Sequence, residues 1–142
     1  MSATEAAALL VRALEAAVTG DHTIVEEVFT EDVVGWSPNL SVSSRSELEE
    51  ALADRDEALA DVEVVVTSYE LGHDRAAAEW VVSATHTGPL VLDDDLVIEP
   101  SGGQLVLAGA TFAELRDGKI SAFRHYFDDA ALLEQMLLNA SA

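Results

Sequence analysis

The stretch Phe123-Arg124-His125-Tyr126-Phe127-Asp128 sets one imidazole between two phenylalanines. A strand turns successive side chains to opposite faces. Ser121, Phe123, His125 and Phe127 then share one face, and Ile120, Ala122, Arg124, Tyr126 and Asp128 share the other. The first face is mostly apolar. A histidine there is either a core group with its hydrogen bonds satisfied or an acid/base lining a pocket. An unperturbed imidazole pKa of about 6.5 suits proton transfer near neutral pH. His86, in Thr85-His86-Thr87, shares a face with Trp80, Val82 and Ala84. It is either a second pocket group that hydrogen-bonds a ligand carbonyl or a strand-end histidine bonded to backbone. Tyr126 is a further group that assists such a site. The expected catalytic pair is therefore His125 and His86. Trp36, Trp80, Phe112, Phe123, Phe127 and Tyr126 are the expected ligand wall, since aromatic walls suit flat or lipophilic molecules. The same rings would also simply fill a core.

Other chemistries find no support. The chain has no cysteine, so disulfides and thiol catalysis are excluded. Its four histidines form no i, i+4 pair, and no metal is expected. Asp93-Asp94-Asp95 lacks the alternate-ligand spacing and glycine of a calcium loop, and reads as a solvated hairpin turn. No phosphate-binding glycine loop and no nucleophile elbow occur, so no cofactor is expected. Glu79 and Glu114 read as exposed strand residues, Glu114 also as a cross-strand partner for Arg124. Asp128 reads as a helix cap.

The elements that position these residues follow from periodicity. Ser2-Ala3-Thr4-Glu5 is a capping box opening a helix through Leu10, Leu14, Ala17 and Val18, and Gly20 suits its stop. A short second helix follows, capped by Asp21 or Thr23. Residues 33–39 read as a short strand ended by proline. Ser44-Arg45-Ser46-Glu47 opens a third helix, with Leu48, Leu52 and Leu59 on one side. From there the period changes to about two. Strands are expected over 62–71, 75–88, 103–115 and 119–127, with two apolar runs within 90–100. The last two long strands pair across the Asp117-Gly118 turn. A helix over 131–138 closes the chain. Helices before and after a run of strands indicate an α+β fold, with helices on one face of an antiparallel sheet.

Length and composition bound the rest. A chain of 142 residues predicts one domain, spanning 1–142. With 27 acidic and 7 basic residues the formal net charge is −20. Nucleic acids and anionic membranes reward clustered Lys and Arg, so neither is an expected partner. The acidity favours solubility through self-repulsion, and it suits a salt-rich cytoplasm where ions screen that repulsion. No signal-peptide pattern opens the chain and no run of about 18 apolar residues occurs, so the expected location is cytoplasmic.

Several segments, in order, carry a resemblance. They are Phe29–Trp36, Asp74–Leu90 with its Thr-His-Thr-Gly, Pro100–Leu105, Arg116–Asp128 and Leu132–Met136. Together they resemble the SnoaL-like polyketide cyclases of the superfamily named after nuclear transport factor 2. The resemblance implies a strongly curved sheet wrapped around helices as a cone with an apolar interior pocket. It also implies a homodimer. In that family an aspartate on the last strand acts as the base, and His125 stands at or next to its position. The ketosteroid isomerase set of that superfold is not found, and Arg124 with Asp128 supplies only part of the epoxide hydrolase set. The superfold hosts many activities. The expectation is a pocket protein binding a hydrophobic or carbonyl-containing metabolite, with histidine-based acid/base chemistry of the cyclase or isomerase type. The alternatives are a non-catalytic ligand-binding protein, or a dimeric interaction module using the outer sheet face with Ile120, Ala122 and Tyr126.

Overall fold

The computed structural model describes residues 2–53, 58–93 and 96–140. Helix α1 spans Ala3–Thr19, and the Ser2 hydroxyl accepts from the Glu5 amide at its start. Gly20 ends it in the left-handed conformation, φ 72°, with its N–H bonded to Ala16. Helix α2 (His22–Val28) is capped by Asp21, which accepts from the amides of Thr23 and Ile24. It runs straight into strand β1 (Phe29–Ser37), which turns back as β2 (Leu40–Val42). Helix α3 (Arg45–Leu52) follows, with Ser44 accepting from the Glu47 amide. Leu59, expected on that helix, instead opens strand β3 (Leu59–Leu71), whose side chains alternate against β4 (Arg75–His86). Short strands β5 (Leu90–Asp93) and β6 (Leu96–Ile98) make a separate hairpin. Asp94 and Asp95, the expected turn, lie outside the described residues. Strands β7 (Gln104–Arg116) and β8 (Lys119–Phe127) pair across Asp117-Gly118. Both turn residues have positive φ, 53° and 76°, as a two-residue type I′ hairpin requires. Helix α4 (Asp129–Ala140) ends the described chain, and Asp128 accepts from the Ala131 amide at its start.

The architecture is α+β, with an open six-stranded sheet in the order β2-β1-β8-β7-β4-β3. The expected all-antiparallel sheet is corrected at one junction: β1 runs parallel to β8. The sheet is therefore mixed, since β1 is delivered from a helix rather than from a hairpin with β8. Register shifts in β3, in β1 and between β7 and β8 bend the sheet around the helices. The shift near Glu114 and Leu115 also changes the faces of β8. Ile120 pairs with Leu115 and Ala122 with Glu114, so Ser121 is the extra residue. Ile120 is consequently fully buried beside Phe123, not on the outer face that strict alternation assigns it.

The main core joins α1 (Leu10, Ala13), α2 (Val25, Val28) and α3 (Leu48, Leu52) to β1, β8 and the Ala76–Ala78 end of β4. A second cluster holds Trp80 and Val82 against Leu14. A third gathers Ala58, Ile98 and Leu105 against Met136 of α4. Helix α4 is anchored where β7 extends beyond β8. There Gln135 accepts from the Val106 amide and donates to the Val106 carbonyl, and Asn139 donates to the Gln104 carbonyl. One turn of helix thus satisfies backbone groups that a further strand would otherwise take. Among the described residues no helix is long and apolar enough to cross a membrane.

Arg116, the last residue of β7, clamps Asp32 of β1 from across the sheet, and the Thr30 hydroxyl donates to the same carboxylate at 2.8 Å. The Arg116 hydrogen bond, helped by Thr30, lowers the Asp32 pKa from the ordinary 3.8 to about 2. A depressed carboxylate stabilises the fold above its unfolded pKa and loses that contribution as pH falls through the folded one. The Asp32 carboxyl carbon, followed by NMR, is expected to titrate with a midpoint near 2. Arg116→Ala should move it back toward the ordinary value. A wild-type midpoint already at the ordinary value would contradict the clamp.

Candidate functional site

The site is built on three neighbouring strands. Trp80 lies inward on β4, opposite Gly109 of β7. A Cβ on Gly109 would come within 2.5 Å of the Trp80 ring and of the Tyr126 carbonyl oxygen. The bare backbone is what allows the indole this close to β7. Trp80 Nε1–H donates to Thr111 Oγ1 at 2.9 Å. Thr111 faces His125 across the β7–β8 ladder, and its Oγ1 lies 2.7 Å from His125 Nδ1. Thr111 is 1 % exposed and His125 4 %.

The direction of this chain follows from what each group can do. An indole N–H only donates, so Thr111 Oγ1 accepts from it. Among the described residues, the acceptor for the hydroxyl hydrogen is His125 Nδ1. Were Nδ1 to carry the proton instead, the threonine hydrogen would be buried without an acceptor, at a cost of about 1–3 kcal/mol. Nδ1 therefore accepts, and neutral His125 holds its proton on Nε2. The imidazole packs on Phe123, with ring centroids 4.6 Å apart. Phe123 in turn lies over Gly35 of β1, where a Cβ would stand 2.2 Å from its ring.

His125 lines a cavity of about 30 Å³ with Phe123, Phe127, Ser37, Asn39 and Leu40. That is room for one or two waters, whereas metabolite sites run to several hundred Å³. Beside His125, the described residues leave less room than the apolar pocket that the resemblance implies. Among the described residues no carboxylate lines this cavity. Its polar rim is Ser37 Oγ donating to Asn39 Oδ1 at 2.9 Å, with Asn39 Nδ2 reaching Asp129 Oδ1 at 3.5 Å. A shallower hollow of about 630 Å³ opens at the hairpin ends of β3–β4 and β7–β8. Of its lining charges, Arg75 pairs with Glu114 and Arg116 pairs with Asp32 outside it, and neither His86 nor His125 lines it.

The remaining expected residues divide among three places. Trp80, Phe123 and Phe127 face inward with His125. Trp36, Phe112 and Tyr126, expected in the ligand wall, are instead 42 %, 46 % and 44 % exposed on the outer face. There Tyr126 packs at a tilt of 48° against Trp36, centroids 5.2 Å apart, and meets Phe112 edge-on at 6.0 Å, and Arg124 lies 5.9 Å over Phe112. Glu114 pairs with Arg75 rather than Arg124. His86 is inward, as its alternation with Trp80, Val82 and Ala84 implies, and is fully buried. It does not join His125. Through Thr111 the register sets His125 level with Ala78, eight residues back along β4 from His86. That is about 27 Å along the strand, and roughly 19 Å even if the strand bent at a right angle midway. One carbonyl cannot be held by both.

Thr111, Ser37 and Asn39, with the supporting Gly35 and Gly109, were not evident as site residues in the sequence. The readable signal was the pair of glycines inside strands, which marks close approach by another group. Among the described residues no three His, Asp or Glu gather as a metal site.

The profile of the SnoaL-like polyketide cyclase family matches residues 8–136, and the chain belongs to that family. No curated protein sequence matches it. AclR from Streptomyces galilaeus, described as a candidate hydroxylase, is 23 % identical with a TM-score of 0.74, over 96 % of this chain and 98 % of its own. IdmH from Streptomyces antibioticus, a candidate polyketide cyclase, is 18 % identical with a TM-score of 0.70, over 92 % and 96 %. An epoxide hydrolase from M. tuberculosis is 18 % identical with a TM-score of 0.64, over 98 % and 94 %. At such identities these structures share the fold, and they differ in activity among themselves.

Thr111→Val removes the shared hydroxyl at nearly constant volume and leaves two buried ring nitrogens unpaired. It should cost about 1–3 kcal/mol in urea unfolding, and Thr111→Ser should recover most of it. Gly109→Ala should cost a similar amount by displacing Trp80. A Thr111→Val midpoint equal to wild type would contradict the hydrogen-bond chain.

Proposed function

We propose that this SnoaL-like chain binds a hydrophobic, carbonyl-containing metabolite in its interior, and that His125 Nε2–H polarises the carbonyl. The observation that carries this reading is the 2.7 Å contact from Thr111 Oγ1 to His125 Nδ1, which holds the ring and, with Thr111 accepting from Trp80, supports a proton on Nε2. A histidine so held offers a donor rather than a base. A hydrogen bond from Nε2 would stabilise the negative charge that develops on an enolising carbonyl oxygen, while a solvent base reaching the α-carbon from the opened side takes the α-proton. In this reading Nδ1 is taken up by Thr111, and His125 acts as an electrophile where proton abstraction was the expectation. Trp80, Phe123 and Phe127 exclude water around it. His86 takes no part at this centre.

A metabolite needs more space than about 30 Å³. Entry requires the turn at Asn39–Leu40 to swing outward, and the Asn39–Asp129 contact at 3.5 Å is the weak link that releases it. Leu40 is only partly buried, which makes this the less costly side to open.

A second reading concerns the outer face. Trp36, Phe112 and Tyr126 form one exposed aromatic patch beside Arg124 and Arg75. Two of the chain's 7 basic residues thus lie on this face among Glu70, Glu79 and Glu114. A surface with both signs is complementary to a two-fold copy of itself. On a molecule of net charge −20, its two arginines reduce the repulsion that a second copy meets there. The proposed partner is a second copy of this chain, paired through this patch.

The wild type should accelerate deuterium exchange at the α-carbon of an aromatic β-ketoester, followed by proton NMR. His125→Phe should lower the rate about 10²–10³-fold while retaining the fold. An undiminished rate would contradict the role of His125. Trp36→Glu with Tyr126→Glu should give a folded monomer in sedimentation equilibrium, and a persisting dimer would contradict the outer-face pairing.

A further inference from the structure

His86 is the buried polar group that the carbonyl site leaves unused. Its backbone is fully engaged: the N–H donates to Gly103 O, and the C=O accepts from Gly102 N, both at 3.0 Å. Its ring is not. The side chain is 0 % exposed, and neither Nδ1 nor Nε2 has a hydrogen-bond partner among the described residues. At His125 the chain places a threonine hydroxyl to meet a nitrogen of the buried ring. Among the described residues no such group meets His86.

The register describes the surroundings. His86 stands one step past the Ala84–Leu105 pair on the inward face, where Leu105 packs with Ala58, Ile98 and Met136. A neutral imidazole carries one donor and one acceptor, and each left unmade in such a place costs about 1–3 kcal/mol. A leucine would fill the position without that cost. The histidine is explained if its polar atoms are used when something binds.

We infer that His86 anchors a second ligand site at the α4 end of the interior, separate from His125. It takes an uncharged molecule with an apolar body and one hydroxyl or carbonyl group. The polar group hydrogen-bonds the His86 ring, and the body lies on the Leu105, Ile98 and Met136 cluster. A charged ligand is disfavoured because burying an ion beside that cluster is costly. This site stands on the unpartnered ring and does not depend on the reading of His125.

The test has two parts. In ligand-free protein, His86→Leu and His86→Phe both remove the unpaired nitrogens, one with a smaller side chain and one with a ring. At least one should raise the melting temperature by about 4 °C, while His125→Leu should lower it. If both His86 variants melt below wild type, the ring is already satisfied in the resting protein and the proposal fails. In the wild type, 1-naphthol should shift the His86 ring nitrogen resonances and raise the melting temperature. Both effects should vanish in the more stable His86 variant and persist in His125→Phe. No shift of the His86 nitrogens at saturating 1-naphthol overturns the ligand assignment. A shift confined to His125 overturns it as well, while leaving the carbonyl site intact.

Discussion

One threonine hydroxyl joins the three strands that make the interior of this protein. Thr111 accepts from Trp80 on one neighbouring strand and donates to His125 on the other. In water such bonds would contribute little, because the unfolded chain makes equivalent ones. Inside an apolar core, the cost of leaving them unmade is what matters. Each ring must therefore keep its orientation, and the polar interior is rigid where it is satisfied. The two strand glycines serve the same end. Gly109 admits the indole and Gly35 admits the phenylalanine on which the imidazole rests.

This arrangement separates the faces of the sheet into different tasks. The inward face is closely packed around His125, with about 30 Å³ left over. The outward face leaves three aromatic rings exposed in mutual contact. The inward face of β4 also carries its two polar rings with opposite treatment. Trp80 is paired and His86 is not. A satisfied group rigidifies, whereas an unsatisfied one raises the energy of the empty state and so rewards whatever satisfies it.

Much of this was legible in the sequence. The two Ser-x-x-Glu boxes mark helix starts, and their serines accept from the expected amides. Asp117-Gly118 specifies its own turn through positive φ. Alternation along β4 assigns His86 and Trp80 to one face correctly, because that strand pairs without a bulge against β7. Alternation fails in β8 because one extra residue at Ser121 reverses the phase, and no composition rule announces it. Leu59 continues a helical spacing but lies beside a longer period-two run, which takes it. The parallel β1–β8 contact joins segments 91 residues apart at Phe29 and Ile120, beyond what local pattern can register. Trp36, Phe112 and Tyr126 were read as pocket wall because large aromatics are usually inside. Here their positions on the outward face outweigh that tendency. Thr111 had no signal of its own, since threonine is an ordinary strand residue.

The most direct test of this account is the tautomer of His125, read from ring ¹⁵N shifts and their couplings to carbon-bound protons, at a pH where the imidazole is neutral. The account predicts an unprotonated Nδ1 and a proton on Nε2, with a slowly exchanging Thr111 hydroxyl coupled to the Nδ1 side. A proton on Nδ1 would contradict it. The threonine would then be an acceptor to both rings, and His125 would present a basic nitrogen in place of the donor proposed for the carbonyl.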